Sequence, residues 1–238
     1  MRIGILTDIH GDYDTMLRVL ACLEAQRVDR LICLGDLVVH GSAPNQVVDW
    51  FRKQKDVRAV KGNHDIGATI AQEQLEDLHF FSSDSRQNTQ WTREALSEEN
   101  RAYLDQLPLE EFEAGVCYTH AAKGNPFAVL RKPETIAGSF RSMNEPIMFT
   151  GHAHRTRIHH WPEGKNFWCT YQPTESRQWI TEFAPGDRYI VHVGCTAQLK
   201  YDPYPPICAV FEPKNLRLEF HELPDLRTAA VHQRNRRI

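Results

Sequence analysis

The chain of 238 residues lacks any apolar run approaching the ~18 residues of a membrane span, so no membrane partner is expected. It also lacks an excess of basic charge. The 28 Lys and Arg stand against 31 Asp and Glu, for a formal net charge of -3 at pH 7, which excludes the global positive field of non-specific nucleic-acid binders and leaves only a local basic patch open. The six cysteines, Cys22, Cys33, Cys117, Cys169, Cys195 and Cys208, include no C-x-x-C pair and fit no zinc-ribbon template. The opening MRIGILTDIH is too short and too polar for the core of a signal peptide, so reduced, mostly buried thiols in a cytoplasmic protein are expected. Repeats, low-complexity tracts and linkers are missing too. One domain over 1–238 is therefore expected, with a loose basic tail at 233–238. With 41% hydrophobic and 25% charged residues, disorder, collagen and coiled coil are disfavoured. What the chain does have in unusual supply is histidine, 12 residues able to bind a metal or a proton.

Residues 3–7 cluster like a buried strand, and Tyr13 to Ala25 then carries Met16, Leu17, Leu20 and Leu23 at helical spacing. Arg30 to Leu34 reads as a second strand, Pro44 to Phe51 as a helix, and Val57 to Val60 as a third strand. Residues 67–107 look mainly helical, with Asn88 to Arg93 opening one helix and Leu104 to Leu107 closing another. Strands are then expected at Val116–Thr119, Ile147–Thr150 and Ile190–Val193, with a hairpin of Ile207–Phe211 and Leu216–Phe220 around Lys214-Asn215. This order suits an α/β protein, a mixed sandwich of two sheets flanked by helices.

Five polar clusters stand at strand ends: Asp8-x-His10, Gly35-Asp36, Gly62-Asn63-His64-Asp65, His120 and Gly151-His152-x-His154. Ligands of α/β sheets sit beyond the carboxyl ends of strands, so these clusters are expected to converge there. Carboxylate, imidazole and amide oxygen together suit a divalent ion of borderline hardness, such as Mn, Fe, Co, Ni or Zn. His-x-His alone is weak evidence in so His-rich a chain. Gly-Asn-His-Asp is expected by composition in only about one such chain in a thousand.

With these five clusters in this order, the sequence resembles the calcineurin-like metallophosphoesterases, whose motifs are D-x-H, G-D, G-N-H-[DE], a lone H, and G-H-x-H. The segment Asn88 to Leu96 (NTQWTREAL) is also similar to the small bacterial branch that holds phosphodiesterases and relatives of diadenosine tetraphosphatases. The resemblance implies the metallophosphoesterase fold and two divalent metal ions. It gives Asp8, His10 and His154 to one ion, Asn63, His120 and His152 to the other, and Asp36 as the bridge. A carboxylate can bridge two cations where a neutral imidazole cannot, and two divalent ions with two carboxylates and a bridging hydroxide leave a charge of about +1, attractive to a phosphoester. Two such ions can activate the bridging hydroxide and clamp a phosphoryl group.

By the same resemblance His64 is the general acid, and Asp65 beside it would orient the imidazole and raise its pKa. The alternative is that His64 only holds its loop. Gly41 completes a G-D-x-x-x-x-G spacing, and His40 in that loop either faces the site or is solvated. His159, His160, His192, His221 and His232 match no motif and read as surface or satisfied structural residues. Two departures stand out. Gly194 to Lys200 (GCTAQLK) replaces the G-S-[VI]-G-Q-P-R turn of small relatives, and the long excursion at about 155–188 carries Trp161, Trp168, Tyr171 and Trp179. Those aromatics are open to three readings: secondary core, partner surface or substrate lid. The function expected is hydrolysis of a phosphodiester, phosphomonoester or nucleotide. The alternative is a binding scaffold of the same fold, and the complete ligand set argues for the enzyme.

Overall fold

A computed structural model of the chain describes residues 1–71, 73–74, 82–172 and 178–226. The expected basic tail and His232 lie outside the described residues. One sheet takes its strands in the order β3 (Val57–Ala59), β2 (Arg30–Cys33), β1 (Ile3–Leu6), β11 (Ile207–Glu212), β12 (Arg217–Glu222), β9 (Gln178–Glu182). The other runs β4 (Glu110–Glu113), β5 (Val116–Thr119), β6 (Ile147–Thr150), β10 (Arg188–His192), β7 (Arg157–Trp161), β8 (Cys169–Tyr171). Strands β1, β2 and β3 are parallel to one another, as are β5, β6 and β10, and the outer strands add antiparallel pairs.

The period-two alternation of the strands builds the layers. Ile3 and Ile5 of β1, with Ala209 and Phe211 of β11, face the second sheet and meet Ile147 and Phe149 of its β6. Leu6, Cys208 and Val210 point the other way, onto α1 (Tyr13–Ala25) and α2 (Pro44–Lys53) through Met16, Val19, Leu23, Val47 and Phe51. Met148 and Ile190 do the same for α6 (Pro133–Ser142), against Ile136 and Phe140. The outcome is two sheets face to face with helices outside, the mixed α/β sandwich expected.

Helix α1 begins where Asp12 accepts a hydrogen bond from Thr15 N at 3.1 Å, and Pro44 opens α2, where its missing N–H costs nothing. α3 (Asn63–Thr69) follows β3 directly. The helix expected to open at Asn88 instead opens five residues earlier as α4 (Ser83–Ala95), because Ser82 caps it by accepting from Ser85 N; α5 (Glu98–Gln106) is capped likewise by Ser97. Asn88 is therefore inside a helix. Helix α6 and the outer strands β4, β7, β8 and β9 carry no clear local signal in the sequence. Among the described residues no helix is long and apolar enough to cross a membrane. All six cysteines are free, with Cys33, Cys117, Cys195 and Cys208 buried.

The excursion at 155–188 is woven into both sheets. Trp161 packs edge-on against Phe140 at 5.4 Å, Trp168 packs on His159, and Trp179 stacks on Phe220 at 5.3 Å. The three tryptophans are partly buried and packed against the core clusters, as a secondary core would have them, while Tyr171 is exposed.

Candidate metal centre

The strand ends bring all seven candidate ligands together. Asp8 and His10 follow β1, Asp36 follows β2, Asn63 opens α3 after β3, His120 follows β5, and His152 and His154 follow β6. Five of them, Asp8, His10, Asp36, His152 and His154, have φ between 51° and 61°, a left-handed conformation that L-residues adopt only where the surroundings hold it. Such backbone costs about 1–3 kcal/mol per residue and gathers at functional sites. Glycine makes the close approach feasible: a Cβ on Gly62 would collide with the backbone and carboxylate of Asp36, and one on Gly151 with Thr7 and Asp8.

The donor atoms form two groups that meet at Asp36. In the first, His154 Nε2 lies 3.2 Å from Asp8 Oδ1 and 3.0 Å from His10 Nε2. In the second, His120 Nε2 lies 2.9 Å from Asn63 Oδ1 and 3.2 Å from Asp36 Oδ2, with the ring of His152 4.9 Å away. Asp36 Oδ2 also stands 3.9 Å from His10 Nε2, so one carboxylate oxygen reaches both groups.

The remaining atoms of these side chains are tied down. Asp8 Oδ2 accepts from Thr7 Oγ1 at 2.7 Å and His152 N at 3.0 Å, and Asp36 Oδ1 accepts from His64 N at 2.8 Å. His120 donates Nδ1–H to the Leu34 carbonyl and His154 donates Nδ1–H to Asp202 Oδ2, each at 2.8 Å, which leaves both Nε2 atoms for the cluster. Asp8 Oδ1, Asp36 Oδ2 and His152 Nε2 are buried with no hydrogen-bond partner among the described residues. Buried acceptors left open in this way, with borderline imidazoles around them, fit divalent cations.

Burial opposes charge at every one of these groups, and the carboxylates prevail over it. Asp36 and Asp8 stay below the usual carboxylate range against that burial, held there chiefly by His120 and by His154 respectively. In return His120 rises to about 9 and His154 to about 10 despite burial, so the two carboxylates demand positive charge inside the cluster. Burial pushes His10 well down and His152 to about 4, leaving neutral imidazoles suited to metal binding.

Burial lowers the His64 imidazole to about 4, against the opposing pull of Asp36. The Asp65 carboxylate is occupied by backbone, accepting from Leu37 N at 2.9 Å, Val38 N at 3.3 Å and Gly62 N at 2.9 Å, and so clamps the Asp36 loop to the start of α3. His40 faces the site, its ring 5.1 Å from that of His10 and 4.8 Å from that of His64, with Nδ1 3.2 Å from Asn88 Nδ2. His160 is satisfied by Asp187 at 2.6 Å, but His192 is neither a surface residue nor a satisfied one: it is buried, and neither ring nitrogen has a hydrogen-bond partner among the described residues.

Asp202 is the site residue that sequence reasoning missed, since it belongs to no motif and no local pattern ties it to His154. The atypical turn after Gly194 braces the site from behind: Ala197 N donates to the Asp8 carbonyl at 3.0 Å, and Thr196 N to that of Thr7 at 2.8 Å. The cluster opens into a cleft of about 480 Å³ bordered by Asp36, His40, His64, His152, Tyr201 and Tyr204.

A two-sheet sandwich with carboxylates and imidazoles gathered at its parallel strand ends defines a class of metal-binding α/β proteins. Within it, residues 1–167 match the family model described as a calcineurin-like phosphoesterase superfamily domain, and the chain belongs to that superfamily. It is 30% identical over 157 residues to an uncharacterised protein, MJ0912, of Methanocaldococcus jannaschii, covering 64% of this chain and 62% of that one. It is 39% identical over 64 residues to a symmetrical bis(5'-nucleosyl)-tetraphosphatase of Klebsiella pneumoniae, covering 26% of this chain and 23% of the relative. These matches thus span less than two thirds of either relative's length. The crystal structure of a metallophosphoesterase from Sphaerobacter thermophilus superposes with a TM-score of 0.77 at 26% identity, over 94% of this chain and 89% of that one.

Proposed function

We propose that the protein is a hydrolase of phosphoesters that works with two divalent metal ions. Asp8, His10 and His154 would hold one ion, Asn63, His120 and His152 the other, and Asp36 both. The observation that carries this reading is the convergence of the buried Asp8 Oδ1, Asp36 Oδ2 and His152 Nε2 atoms with the His10, His120 and His154 Nε2 atoms beside a cleft that Asp36, His152 and His154 border. Bound there, divalent ions supply Lewis acidity toward a phosphoryl oxygen and a water activated near neutral pH.

The chain's own part is to hold and screen. The left-handed loops fix the ligands before substrate arrives, so little reorganisation accompanies reaction. His64 borders the cleft and would give a proton to the leaving oxygen. Its pKa is depressed by burial, and the negative charge of an incoming phosphoester favours its protonated form. Tyr201, 82% exposed, and Tyr204 border the cleft with Lys200 and Arg155 over their rings, and the likeness to a nucleosyl-tetraphosphatase supports nucleotides among the substrates to be tried.

The experiment is to load purified protein with Mn, Fe, Co, Ni or Zn, count the bound ions, and assay nitrophenyl phosphate, bis(nitrophenyl) phosphate and nucleotides. About two ions per chain and activity abolished by a chelator are expected. Metal-loaded protein inert across that panel would favour a binding scaffold of the same fold.

A further inference from the structure

Beside the metal cleft lies a second cavity of about 350 Å³, bordered by Arg131, Arg155, Arg157, His192 and Tyr204. Arg131, Ala153 and Tyr204 border both spaces, and Ala153 sits between His152 and His154. The metal-bearing loop therefore separates two adjoining cavities. No carboxylate borders the second one.

Among the described residues its charge has no carboxylate partner. Some arginines elsewhere are ion-paired, Arg30 with Glu113, Arg58 with Glu111, and Arg217 with Glu219, while others, such as Arg93 and Arg188, donate to backbone carbonyls. Among the described residues none of Arg131, Arg155 and Arg157 has an acidic partner within 4.0 Å. Arg155 instead donates to Gln172 Oε1 at 3.0 Å and lies over the Tyr204 ring at 5.7 Å. Two buried polar groups are also left over. Arg157 Nε has no hydrogen-bond partner among the described residues, and neither ring nitrogen of His192, 2% exposed, has one either. Burial pushes the His192 imidazole down to about 3, so it stands in the cavity as a neutral ring with one N–H to donate. Buried donors without acceptors, facing a cavity with three guanidinium groups at its wall, call for an anion with several oxygens. Phosphate fits best, because planar guanidinium forks pair with its oxygens two at a time.

We propose that this cavity is a second phosphate site, which holds a phosphate of the substrate other than the one being cleaved. The proposal rests on the phosphoester-hydrolase reading for its use in catalysis, but not for the binding itself. The substrate class is then an organic molecule with two phosphates, one at the metals and one among Arg131, Arg155, Arg157 and His192. Such a substrate spans the Ala153 ridge, and the second phosphate sets its register without taking part in bond breaking.

The first test uses metal-free protein, in which no metal ion draws inorganic phosphate to the Asp36 cluster, so that binding lost in the arginine variants reports on the basic cavity. Titration followed by calorimetry and phosphorus NMR should show one phosphate bound, at least about fivefold more weakly in Arg157→Ala and Arg131→Ala. Arg131 lies in an exposed turn outside the strands and helices, so its variant reports on binding even if Arg157→Ala disturbs β7. Melting curves establish that each variant is folded. Phosphate binding that is missing in the parent, or equal in parent and variants, would overturn the site. The second test compares the nitrophenyl ester of thymidine 5'-phosphate with and without a 3'-phosphate, which share one scissile bond. The preference in kcat/KM for the bisphosphorylated ester should fall about tenfold or more in either variant. A preference unchanged by both variants would remove the site from substrate recognition. Loss of hydrolysis of both esters in the metal-loaded parent would instead count against the hydrolase reading, while the phosphate titration still decides the cavity.

Discussion

His154 and Asp202 are joined by a 2.8 Å hydrogen bond that spans 48 residues of sequence, and this bond aims His154 Nε2 at Asp8. Carboxylates behind metal-ligating imidazoles fix the tautomer and raise ligand basicity. Asp202→Ala should therefore weaken one metal ion about 10–100-fold while leaving the other near parental affinity. Competitive titration with a chromogenic chelator checks this, with Asp202→Asn as a milder partner. Parental affinity at both sites would show that the contact does not support a ligand.

Asp36 and His10 should differ in how far their loss spreads. Asp36 Oδ2 reaches His120 and His10, so Asp36→Ala should empty both positions, whereas His10→Ala should chiefly cost one. Metal content per folded chain, measured by elemental analysis after dialysis, separates the outcomes. An equal loss from both variants would contradict a shared carboxylate.

His64→Ala should keep near-normal metal content, because the contact of this residue with Asp36 is made by its backbone N–H. Turnover should fall about 10²–10⁴-fold, the usual worth of a positioned acid, and alkyl esters should suffer more than nitrophenyl esters. Identical losses on both leaving groups would assign His64 a purely structural task.

Asp65→Ala leaves three backbone N–H groups, those of Leu37, Val38 and Gly62, without their acceptor in the interior. At about 1–3 kcal/mol for each stranded donor, partly relieved by water, the loss of stability should be about 3 kcal/mol or more. Urea melts measure it. A stable variant with slowed chemistry alone would return Asp65 to the reacting groups.

Trp179→Ala removes the ring stacked on Phe220, at the edge of the core between the sheets. A destabilisation of about 2–4 kcal/mol is expected, somewhat below a fully enclosed Trp, with the relative rates on small and nucleotide-sized substrates preserved. Altered substrate preference at an unchanged melting temperature would favour the lid reading.

The strands that carry the site and the helices between them are legible in the sequence because their signals are local. Met16, Leu20 and Leu23 recur at helical spacing, and each short apolar run of β1, β2, β5 and β6 stops at a polar residue, so the residue order alone puts Asp8, Asp36, His120 and His152 at strand ends. β4 is illegible for the opposite reason. Its Glu-Glu-Phe-Glu stretch is an edge strand whose Glu111 and Glu113 pair with Arg58 and Arg30, so contacts distant in sequence override a poor local propensity. Tertiary structure alone decided the left-handed backbone at Asp8, His10, Asp36, His152 and His154, since an L-residue takes that conformation only when packing around it outweighs the cost. It also decided the support of His154 by Asp202, the clamping by Asp65 of backbone from two loops, and the gathering of His192 with Arg131, Arg155 and Arg157 around one cavity. The residue types able to hold metals are a property of the chain, while the distances and charges that would make them a site arise only where separate strand ends are packed against one another.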